Sequence, residues 1–157
     1  MAFVRHIPHG FEAICTGDGV SVSALVGFDD DDDIVYSVSV CLSRNPTGEL
    51  ELSFCVVETH DGNMHYDIWD GRGTRYLKGA DRRHVLNVVR GAVLECMTRL
   101  VPSMFTMVTY DGHLPDKALV KYRFIAHMSE KSGYRVLEFD SYQGKRLWVF
   151  ERLETRA

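Results

Sequence analysis

The chain has 157 residues, a formal net charge of −4, 45% hydrophobic and 25% charged side chains and only four prolines. That is the make-up of an ordinary folded domain and excludes a disordered, fibrous or collagen-like chain. One core can bury about two thirds of the unfolded surface at this length, so a single domain over residues 1–157 is expected. The acidic balance excludes a surface that is basic all over: nucleic acid is not expected as a general partner, although a local basic patch is allowed.

Hydrophobic residues alternate along the first seventy positions. "FEAICTG" and "VSVSALVGF" read as two strands broken at Gly17 to Gly19. In "YSVSVCLSR", Tyr36, Val38, Val40 and Leu42 point one way while Ser37, Ser39, Cys41 and Ser43 point the other, the period of a half-buried strand. "ELELSFCVVE" repeats it with Leu50, Leu52, Phe54 and Val56, and "NPTGE" between the two runs has the composition of a tight turn, so the pair forms a hairpin. "MHYDIW" adds another strand. Between the second and third strands lie five consecutive carboxylates, Asp29, Asp30, Asp31, Asp32 and Asp33. Calcium loops space their ligands with glycine and end in a bidentate glutamate, which is absent here, so no metal is expected. Mutual repulsion keeps such a run in water, where it offers an acidic contact to a basic partner.

After Trp69 comes "DGRGTRYLKGADRR", a glycine-containing basic connection. Val85, Val88, Val89, Ala92, Val93, Cys96, Met97 and Leu100 then recur at three- and four-residue spacing, which predicts a helix over 82–100, capped by Asp81 and stopped before Pro102. "SMFTMVTYD", apolar on both faces, reads as a central strand. A second helix is expected from Pro115 to Gly133, through Leu119, Tyr122, Ile125, Ala126 and Met128. "YRVLEFD" and "RLWVFERL" flank "SYQGK" as a closing hairpin whose last strand is apolar on both faces. One of those faces, or the strand edge, suits a partner, including a second copy in a homodimer. The order gives an α+β fold, a mainly antiparallel twisted sheet of about six to seven strands with two main helices.

Cys15, Cys41, Cys55 and Cys96 are too widely spaced for a zinc or redox motif and are read as buried free thiols. The seven histidines show no HxxxH pair, and His60 with Asp61 or Asp111 with His113 fit turns better than acid–base pairs. No run approaches the ~20 apolar residues of a membrane span, and "MAFVRHIPHGFEAI" lacks the apolar centre of a secretory signal; a reducing cytoplasm is expected.

From Asp81 onward the order of helix, strand, helix and hairpin, with "SEKSGY" (Ser129 to Tyr134) closing the second helix, resembles the second half of the GNAT N-acetyltransferase superfamily. The resemblance implies a sheet splayed around an acyl-coenzyme A cleft, with the pyrophosphate on backbone N–H groups at the start of the helix near Asp81. In that family the loop carries Arg or Gln, two residues, Gly, one residue, then Gly or Ala. "RYLKGA", Arg75 to Ala80, has Gly79 and Ala80 but one residue more after Arg75, and Leu77 and Lys78 are poor substitutes for glycine in a nest of amides. Ser129 stands where the family often has a general-acid tyrosine. The resulting expectation is a small binding module, without catalytic residues or cofactor, that contacts another protein. Its contacts are Arg72, Arg75, Lys78, Gly79, Arg82 and Arg83 on the basic side, or Asp29 to Asp33 on the acidic side. The alternative is a divergent N-acyltransferase using acetyl-CoA.

Overall fold

Serine and valine alternate along the strands of the N-terminal half, and that alternation decides which face of the sheet is covered. The computed structural model describes residues 3–31, 33–68, 77, 79–109, 111–142 and 144–154. Among these described residues nine strands form one sheet where about six to seven were expected: β1 (Phe3–Arg5), β2 (Glu12–Thr16), β3 (Gly19–Asp29), β4 (Ile34–Arg44), β5 (Leu50–His60), β6 (Asn63–Ile68), β7 (Met104–Val108), β8 (Tyr134–Tyr142) and β9 (Lys145–Arg152). Two helices, α1 (Ala80–Leu100) and α2 (Asp116–Lys131), interrupt the series on either side of β7. The fold is α+β, and β1, three residues long, is too short to show a period in the sequence.

The strand order is β1-β3-β4-β5-β7-β9-β8, with β2 also pairing β3 and β6 also pairing β5. All neighbours are antiparallel except β5 and β7, which meet in parallel at Glu51 and Thr106. Farther along, from Cys55 to His60, the same edge of β5 is paired with β6. The interior position expected for "SMFTMVTYD" is thus occupied by β7, between β5 and β9.

Register aligns the buried side chains in rows: Val22 is opposite Val40, and Val40 is opposite Phe54. These rows are closed by α1, whose Val85, Val88, Val89, Ala92, Val93, Cys96 and Met97 are buried. From α2, the Tyr122 ring lies 5.5 Å from Phe54 and stacks at 5.2 Å on Trp148 of β9. Phe54 belongs to the rows that α1 covers, so both helices lie on one face of the sheet. The other face carries Ser21, Ser23, Ser37, Ser39, Cys41, Ser53 and Cys55, half-buried side chains on which neither helix lies.

Three local expectations need correction. Asp81 does not cap α1: Gly79, at φ 54°, precedes the first turn without a side-chain cap, and Asp81 lies within that turn with Oδ1 2.6 Å from Arg5 Nε. The cysteines are all free but not all buried; Cys96 is enclosed, Cys41 and Cys55 sit on the helix-free face, and Cys15 is exposed. The aspartate run does not stay wholly in water, because the register that pairs Asp29 with Phe3 and Ile34 carries Asp29 inside, only 1% exposed. Among the described residues no helix is long and apolar enough to cross a membrane.

Candidate functional site

Both helices begin beside one groove. A positive φ at Gly79 turns the chain into α1, and the extended Pro115, at φ −67° and ψ 155°, delivers α2. Neither helix has a side-chain cap, so first-turn amides at two helix starts, each with its positive dipole end, lack a side-chain acceptor. Between them runs a groove of about 690 Å³ floored by Leu86, Leu114 and Ala118, with Gly79, Arg82, Arg83, Lys117 and Lys121 in its lining. Arg82, Arg83 and Lys117 are exposed, whereas Lys121 is 5% exposed and holds its ammonium 5.4 Å from the centre of the Tyr122 ring. Four cationic side chains, one of them the buried Lys121, and two helix starts thus border a partly apolar groove.

The described residues lining the groove include no carboxylate, hydroxyl, thiol or imidazole. The groups that sequence alone leaves open for chemistry are occupied elsewhere. Ser129 is fully buried, and its hydroxyl donates to the Ile125 carbonyl at 2.9 Å. Burial, followed by the neighbouring Cys41 and Glu95, pushes the Cys96 thiol up to about 12, which keeps it protonated and unreactive. His60 and Asp61 form an exposed pair 3.7 Å apart at the β5–β6 turn. His113 sits at φ 56° with its amide donating to the Gly144 carbonyl, as a turn residue does.

Of the residues expected in the basic contact, Gly79, Arg82 and Arg83 line the groove; Arg72, Arg75 and Lys78 lie outside the described residues. Sequence reasoning missed Lys117 and Lys121. The available signal was their i,i+4 spacing just after the Pro115 helix start, which puts two ammonium groups on one face of the first turns. In the acidic run Asp30, Asp31 and Asp33 are exposed and Asp29 is buried, while Asp32 lies outside the described residues; none of the four described lines the groove.

A second hollow, of about 710 Å³, lies on the helix-free face, lined by His6, His9, Glu12 and the hydroxyls of Ser21, Ser23, Ser37 and Ser39. Its lining mixes imidazole, carboxylate and hydroxyl side chains, whereas the polar side chains lining the groove are all cationic. No family model, curated protein or solved structure matches the chain.

Proposed function

We propose that the chain is a cytosolic binding module that acts by contact, with the groove between the starts of α1 and α2 receiving an acidic segment of another protein. The observation that supports this reading is the lining itself, which combines Arg82, Arg83, Lys117 and Lys121 with apolar side chains and, among the described residues, includes no carboxylate, hydroxyl, thiol or imidazole. Rim guanidinium and ammonium groups steer an acidic partner and fix its orientation, and the floor takes the apolar side chains between its carboxylates. A second copy of the chain has a separate place to pair: β8 ends the sheet, with Leu137 and Phe139 exposed along it.

One observation favours a second reading, a divergent acetyl-CoA-dependent N-acyltransferase on a GNAT-like scaffold. β5 and β7 touch at one parallel position and then part, which is the kind of splay that the sequence resemblance implies. Against it, the edge of β5 beyond that point is held by β6, so its amides are already engaged. The test is affinity capture from host extract, followed by reconstitution with the purified candidate partner. Arg82→Glu with Arg83→Glu and Lys117→Glu should abolish the complex, and a complex unaffected by this triple change defeats the groove as the contact. Acetyl-CoA at millimolar concentration separates the readings: a rise in melting temperature in the wild type that is lost in the triple variant supports the acyltransferase.

A further inference from the structure

The hairpin loop between β3 and β4 holds a buried carboxylate oxygen that has no hydrogen-bond partner among the described residues. Asp29 closes β3 with 1% of its surface exposed. Its Oδ1 accepts the amide of Asp31 at 3.0 Å, while its Oδ2 is buried and has no hydrogen-bond partner among the described residues. A carboxylate oxygen removed from water without a donor is unfavourable unless a positive charge meets it. Among the described residues no arginine, lysine or histidine forms an ion pair with Asp29 or Asp30.

The neighbours supply the rest of a coordination shell. One carboxylate oxygen from each of Asp29, Asp30 and Asp31 lies within 4.8 Å of the other two. Three oxygens no more than 4.8 Å apart lie within about 2.8 Å of a common point, so a small closing movement would bring them to the calcium–oxygen distances of about 2.3–2.6 Å. The cluster thus joins one buried carboxylate to two exposed ones, so an ion there would be anchored from inside and open to water outside. Oxygen-only donors select a hard cation over zinc or copper.

We propose that the β3–β4 loop is a binding site for a hard divalent cation, held by Asp29, Asp30 and Asp31, with water completing its shell. The sequence pattern points away from a metal because the ligands are consecutive instead of alternating with glycine. The inward turn of Asp29, which the pattern cannot reveal, changes that reading. The site is separate from the basic groove and does not depend on it.

The test uses the whole chain, stripped with a chelator and titrated with calcium, magnesium or manganese chloride. Thermal unfolding and isothermal titration calorimetry are followed against sodium chloride of equal ionic strength. At least one of the three cations should bind with one-to-one stoichiometry and raise the melting temperature, and Asp29→Asn should remove both effects. Should Asp29→Asn fail to fold, the exposed Asp30→Asn serves in its place and should weaken binding by about tenfold or more. Absence of binding heat and of a thermal shift with all three cations overturns the site. So does a shift of equal size in Asp30→Asn and the wild type, which would mark general charge screening.

Discussion

Gly27 stands where the ladder between β3 and β4 slips by one residue, between Leu25 and Gly27. A Cβ built there would lie 2.5 Å from the carbonyl oxygen of Val4 and closer still to the Phe3 ring. The ring could swing away, but the carbonyl belongs to the β1–β3 ladder and cannot move without breaking it. Gly27→Ala should therefore destabilise the fold by roughly 1–3 kcal/mol, the usual range for overpacking, seen as a lower urea midpoint. Gly17→Ala is the control: nothing lies within 4 Å of its added methyl group, and its midpoint should stay unchanged. At this scale the sequence is least legible. A glycine required by a passing backbone and a glycine in open solvent look alike until strands distant along the chain are in register. The same limit hid Asp29, whose burial is set by Phe3 and Ile34 across two ladders, and not by its acidic neighbours.

Elements were easier to read. The α1 pattern emerged because its buried residues recur at helical spacing over about three and a half turns, and all seven that sequence placed from Val85 to Met97 are buried. The end of α2 was equally plain: Ser132 caps it and Gly133 follows at φ 94°, a conformation that glycine adopts without cost. The "NPTGE" turn closes as its composition suggested, with the Asn45 carboxamide oxygen accepting the amides of Thr47 and Glu49. Helix starts were harder. An aspartate before a periodic run normally signals a cap, but Arg5 from the other end of the chain holds Asp81 instead. Half of the basic groove escaped notice for a related reason. Arg82 and Arg83 lie in a visibly basic stretch, whereas Lys117 and Lys121 become part of the site only once α1 and α2 share one face of the sheet.

For the molecule as a whole, both helices guard one face, and titration of the groups beneath them should contribute to its loss of stability in alkali. The Cys96 thiol is raised from 9.0 to about 12, chiefly by burial, and burial also raises the Tyr134 phenol, whose hydroxyl donates to the Pro102 carbonyl at 2.8 Å. Each group is held in its protonated form by the fold. Their contribution is therefore fully present below the unfolded values and is lost as pH rises, for Cys96 between about 9 and 12. Stability measured by urea unfolding should fall across that interval. Cys96→Ala should be less stable than the wild type at pH 8 because of the cavity, yet lose less between pH 9 and 11. An equal slope in the two proteins would assign the loss to other groups.

The single edge of β5 that serves first β7 and then β6 has a consequence for motion. Its Cys55–His60 half belongs to a local hairpin closed by Asp61 and Gly62, whereas its Glu51 end is tied to a strand that arrives only after α1. Opening of β6 alone would leave both the crossover and the β4–β5 ladder in place, so the two partners of this edge need not breathe together. Deuterium uptake under native conditions should reach peptides spanning 63–68 well before those spanning 50–57, in a step too small to expose the surface of the whole core.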